Sequence, residues 1–162
     1  MTLETAEVPG MERNRTQAGI FHDPKQERQI IDYYECQSKA VTNSILHFAK
    51  IVKENWPRDI VVGTFYGYYL SLFGRHSSGG HLLEQEILNC PYIDYLSAPQ
   101  AYIKACRAIG GPALSRGLIE SVNLHGKLWL DEMDQPTHVG SGMGGVVCHP
   151  KDISMEIIKR NT

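Results

Sequence analysis

Apolar positions recur at helical spacing over a long early segment. Ile30, Tyr34, Val41, Ile45, Phe48 and Val52 follow one another at intervals of three, four or seven residues, which draws one apolar stripe down a helix. Asp23 is suited to cap it, Pro24 to its first position and Gln26 to close a capping box. Lys50 and Lys53 favour its C-terminal dipole, and Pro57 stops it after about Asn55. His47 borders the stripe as a packed or half-exposed histidine. A helix this long needs a sheet or other helices against its apolar side. Before it, residues 1–20 have Pro9 and Gly10 and no sustained period, and read as an irregular lead-in.

Beyond Pro57 the pattern changes. Asp59 to Leu70 is a run of β-branched and aromatic residues with little polar alternation, expected for a strand buried on both faces. A polar loop, Phe73 to Gly80, leads to a short helix from His81 to Asn89, ended by Pro91. Tyr92 to Pro99 is a second strand, and a long loop follows from Gln100 through Pro112. A weaker helical or irregular patch, Ser115 to Asn123, precedes a third strand at Lys127. A glycine-rich loop at 140–145 and a helix from Asp152 to Arg160 close the sequence.

Strands beginning near residues 60, 93 and 127 are separated by 33 and 34 residues. Strand–helix–strand units of that size imply parallel strands with right-handed crossovers. An eight-fold barrel has about 31 residues per unit. The expected fold is therefore α/β: a partial, incomplete (β/α)8 TIM barrel, with residues 21–162 forming one unit.

Composition narrows the function classes. The chain has 162 residues, 42% hydrophobic and 21% charged, as one globular domain would. A net charge of -2 and no basic stripe argue against nucleic acid or anionic membrane as partner. No apolar run approaches the roughly 18 residues of a membrane span, and the first residues lack the apolar core of a secretory signal, so a cytoplasmic location is expected. Cys36, Cys90, Cys106 and Cys148 are scattered, which suits free and mostly buried thiols. The histidines form no H-E-x-x-H pair, and the Gly79-Gly80 pair lacks phosphate-loop spacing, so neither metal nor cofactor is expected.

The candidate chemistry lies in His125-Gly-Lys-Leu-Trp-Leu-Asp-Glu-Met-Asp. Alternation puts Leu128, Leu130 and Glu132 on one strand face, and Trp129 and Asp131 on the other. If the leucines line a barrel interior, Glu132 stands at its C-terminal mouth, where barrel enzymes keep their catalytic groups. A carboxylate presented there by an apolar strand is raw material for a nucleophile or general acid/base. The competing reading is that Asp131, Glu132 and Asp134 only solvate a loop. Trp129 points toward the helix layer and reads as core. Tyr66 and Tyr68 share a strand face near its C-terminal end, where they serve either core or mouth. Asp134 and His138 follow the third strand, as substrate contacts or surface turn residues. Arg75, His76 and His81 fall in or just after the first loop without a nameable role. Glu84, Glu86 and Glu120 read as solvated helix charges.

Taken together, Phe21-His-Asp-Pro, Ile31-Asp-Tyr-Tyr with Ile45-Leu-His-Phe-Ala-Lys, Val62-Gly-Thr-Phe-Tyr-Gly-Tyr, Ile93-Asp-Tyr-Leu-Ser-Ala-Pro and Leu124-His-Gly-Lys-Leu-Trp-Leu-Asp-Glu form an ordered set over about residues 20–160. This set resembles the (β/α)8 catalytic domain of clan A glycoside hydrolases, most nearly the family 42 β-galactosidase type. The resemblance implies that the strands correspond to the fifth, sixth and seventh of the barrel, with Glu132 at the nucleophile position. It implies a β-galactoside-like carbohydrate as partner and no cofactor. The family's acid/base glutamate lies in an Asn-Glu motif that this sequence does not contain. Retaining hydrolysis needs two carboxyl groups about 5–5.5 Å apart. The expectation is hence the equivalent of a fragment of the catalytic domain, with exposed sheet edges, an uncovered face and a tendency to self-associate. The alternative is a non-catalytic α/β remnant or assembly partner.

Overall fold

The computed structural model describes residues 8–10, 22–69, 79–101, 104–112, 114–134, 138 and 149–161. Helix α1 (Arg28–Asn55) is followed by β1 (Gly63–Phe65), α2 (Glu84–Asn89), β2 (Tyr95–Pro99), α3 (Lys104–Arg107), α4 (Ile119–Leu124), β3 (Leu128–Glu132) and α5 (Lys151–Asn161). The strands form one three-stranded sheet in the order β1-β2-β3. Both pairings are parallel, with Thr64 beside Leu96 and Leu96 beside Trp129. The chain is thus α/β with a parallel sheet.

The start of α1 differs from expectation for a local reason. Asp23 caps a separate turn: its carboxylate accepts the Lys25 N–H at 2.9 Å, and its carbonyl accepts the Gln26 and Glu27 N–H groups. Glu27, not Gln26, reaches back to the Asp23 N–H at 2.8 Å. That turn uses up the first residues, so the continuous helix begins at Arg28.

Strand β1 is shorter than the apolar run that announces it. Gly67 adopts a left-handed φ of 81°, which takes the chain out of the sheet at Tyr66. At the opposite end, Asp94 ties β1 to β2. Its carboxylate accepts the Val62 N–H at 2.7 Å and pairs with Lys53 at 2.6 Å, while the Lys53 ammonium also donates to the Ile60 carbonyl. Burial acts upward on the Asp94 carboxyl, but these donors hold it below the ordinary carboxylate range. The long loop after β2 contains the short α3.

One face of the sheet is finished. Tyr66, Leu96 and Val122 are fully buried there with Ala49, Ile87, Leu88, Cys90 and Ile93, and Val41, Ile45, Leu46 and Trp129 pack against them. Trp129 therefore points to the helix layer, as strand alternation requires. The other face is open along its edge strands. Val61, Phe65, Leu128 and Leu130 are exposed, while the central-strand Ser97 and Pro99 are buried. Cys90 and Cys106 are buried free thiols, and Cys36 is an exposed one.

Candidate active site at the C-terminal edge of the sheet

Register fixes what surrounds Glu132. Paired residues of parallel strands share a face, and Pro99 pairs with Glu132 as Ser97 pairs with Leu130. The Ser97 hydroxyl donates to the Leu130 carbonyl at 2.9 Å, locking β3 to the central strand just below the carboxylate. Glu132 is exposed at the C-terminal end of β3, on the face turned away from the helices. Asp131 occupies the other face, where its carboxylate accepts the Trp129 indole N–H at 2.8 Å. Gly117 lets the indole approach the β2–α4 connection closely, since a Cβ there would overlap the Trp129 ring. Each carboxylate of the pair is thereby directed to one side, and the Trp129 contact fixes the difference.

Asp134 and His138 are exposed residues beyond the end of β3. The tyrosines are placed differently. Tyr66 is fully buried on the helix side, and its hydroxyl lies 2.8 Å from the Thr42 hydroxyl, 3.2 Å from the Gly80 carbonyl and 3.1 Å from the Leu83 N–H. No part of it is open to a substrate. Tyr68 lies beyond Gly67 and is half-buried, with its ring edge-on to His81 and the Arg116 guanidinium 5.2 Å from its centroid. Because the chain leaves the strand at Gly67, Tyr66 and Tyr68 do not share the strand face expected of them. Glu132, with Asp134 just beyond it, and the tyrosines thus belong to separate groupings. Arg75 and His76 lie outside the described residues.

The tyrosines belong to a second polar cluster that the sequence pattern did not expose. His81 stacks on Tyr66 with ring centroids 4.6 Å apart, and its Nδ1 accepts the Tyr68 N–H at 3.3 Å. The Tyr69 hydroxyl donates to the His81 carbonyl, and the Tyr69 N–H to the Arg116 carbonyl at 3.0 Å. Glu84, read from sequence as a solvated helix charge, is buried instead. It fits because Gly67 has no side chain: a Cβ there would come within 2.7 Å of Glu84 Oε1. Burial raises the Glu84 carboxyl above the ordinary range, with the nearby Tyr69 hydroxyl acting the other way. Burial likewise pushes the Tyr66 and Tyr69 phenols up and holds His81 below its usual value.

Lys127 was missed as well. Its ammonium is buried and donates to the Cys90 and Ile93 carbonyls at 2.7 and 2.5 Å, closing the turn between α2 and β2. Burial lowers its pKa. The sequence signal available was a charged residue set directly before an apolar strand.

Among the described residues no group of three or more His, Cys, Asp or Glu is placed to hold a metal ion, and no helix is long and apolar enough to cross a membrane. No protein-family model, curated protein or solved structure matches the chain.

Proposed function

We propose that this chain is part of a retaining glycoside hydrolase of the β-galactosidase-like type, its sheet a segment of a (β/α)8 barrel, with Glu132 as nucleophile. One observation carries the reading. Glu132 stands at the C-terminal end of a parallel strand, on the face opposite the helix layer, and barrel enzymes keep their catalytic groups at that end of the strands. The apolar residues below it on the same face, Leu128 and Leu130, suit a barrel interior.

In this reading a Glu132 carboxylate oxygen attacks the anomeric carbon of a β-galactoside-like sugar. The bond to the leaving oxygen breaks, and a carboxylic acid from outside the described site gives that oxygen a proton. Water then hydrolyses the glycosyl ester and restores Glu132. Tyr68, Asp134 and His138 are the proposed substrate contacts. Tyr66, whose hydroxyl is engaged inside the core, supports the connection that carries Tyr68. The exposed apolar residues of that face, with β1 and β3 as edge strands among the described residues, support self-association as a way to complete the surroundings of Glu132.

A second reading draws on the same exposed face. An α/β assembly partner without activity would also leave Phe65, Leu128 and Leu130 open for another polypeptide. An aryl β-galactoside with a good leaving group separates the two, because it needs little acid assistance. The glycosidase reading predicts aryl alcohol release by the purified chain and none by Glu132→Gln. No release by either protein, or equal release by both, contradicts it.

A further inference from the structure

The connection leaving β1 is fastened to the start of α2 through one titratable ring. His81 is half-buried, stacked on the buried Tyr66 and edge-on to Tyr68 at 4.8 Å. Its Nδ1 is the acceptor for the backbone N–H of Tyr68. An imidazole accepts at Nδ1 only when that nitrogen carries no proton, so the ring is neutral with its proton on Nε2. The Gly80 carbonyl and Leu83 N–H meet the Tyr66 hydroxyl, and the His81 carbonyl takes the Tyr69 hydroxyl. Every one of these contacts joins residues 66–69 to residues 80–83.

We infer that His81 is an acid-released latch: its neutral ring holds the Tyr68 N–H, and protonation of Nδ1 sets donor against donor and lets the 66–69 connection go.

The groups facing the ring decide whether a proton can be accommodated without release. From the β1 side these are the phenols of Tyr66, Tyr68 and Tyr69, which are neutral below alkaline pH. From α2 it is Glu84, whose buried carboxyl is held above its ordinary range. Arg116, over the far Tyr68 ring, is already a cation. The Tyr66 face offers an imidazolium some cation–π attraction. Against that stand the lost Tyr68 bond and the burial that already disfavours the charged ring. The latch does not depend on the glycosidase reading.

Amide hydrogen exchange of the peptide spanning Tyr66–Tyr69, corrected for intrinsic rates, tests it at pH 7.5 and pH 5.5. An ordinary histidine pKa near 6.5 sets the scale, and linkage allows protection to fall by up to about tenfold across that interval. His81→Asn keeps an acceptor oxygen near the Nδ1 position but does not titrate, so its protection should be the same at both pH values. Unchanged protection in the natural chain, or an equal loss in His81→Asn, overturns the latch. If the variant does not fold, the natural chain still decides through the ring nitrogen signals of His81. A neutral Nε2–H form whose titration moves together with the Tyr68 amide is expected; an Nδ1–H form at pH 7.5 overturns the proposal.

Discussion

The two faces of the sheet share strands, register and alternation, yet they end in different surroundings. On the helix side Tyr66, Leu96 and Val122 are fully buried against α1, α2 and the start of β3. On the opposite side Phe65 is 53%, Leu128 63% and Leu130 48% exposed. Parallel sheets are ordinarily covered on both faces. The finished face therefore holds the fold together, while the open face carries Glu132 and the apolar surface beneath it. Stability and proposed chemistry are separated by the period-two geometry of three short strands.

Truncations on the two faces should break this symmetry most sharply. Leu96→Ala removes a fully buried side chain from the central strand and should destabilise by about 2–5 kcal/mol. Leu130→Ala, one strand away on the open face, should cost less than about 1 kcal/mol because its side chain is already half in water. Urea denaturation of both variants measures the contrast, and similar losses would mean that the open face is covered in solution. The next effect concerns the contact that sorts Asp131 from Glu132. Gly117→Ala drives a methyl group into the Trp129 ring, an overpacking expected to cost about 1–3 kcal/mol. Thermal unfolding together with Trp129 fluorescence reads it.

The smallest effect lies in the pH dependence of the buried cluster. The Glu84 carboxyl is held above its ordinary value by burial, so its contribution is fully present below the unfolded-state pKa. That contribution is lost as pH rises through the folded-state value. Glu84→Gln should flatten this decline and leave the protein at least as stable at neutral pH. A stability-versus-pH series for both proteins checks the sign, and a steeper decline in the variant would refute it.

Much of this contrast was legible before the structure. The helix read from Ile30 to Val52 is α1, which ends at Asn55 as expected, but its buried line runs through Ile30, Tyr34, Ser38, Thr42 and Ala49, while Phe48 and Val52 of the expected stripe are exposed. Even spacing of the apolar runs gave parallel strands, and alternation put Trp129 on the helix side. Strand length was less legible: the apolar run through Leu70 hides the turn at Gly67, because an aromatic side chain suits a core as well as a strand. Glu84 and Lys127 were illegible for a related reason. Helix position and charge indicate water by default, and only the absent side chain at Gly67 and the Cys90 and Ile93 carbonyls that accept from the ammonium make burial tolerable for each. Those are long-range facts, invisible in a local pattern.

Covalent trapping tests the central claim, that the open face presents a nucleophile, most directly. A 2-deoxy-2-fluoro-β-galactoside with a dinitrophenyl leaving group, incubated with the full chain, slows breakdown of any glycosyl ester and lets intact-mass and peptide analysis locate it. A single adduct on Glu132, absent from Glu132→Gln, is the predicted result. No adduct on the natural chain, or one that persists in the variant, would contradict it.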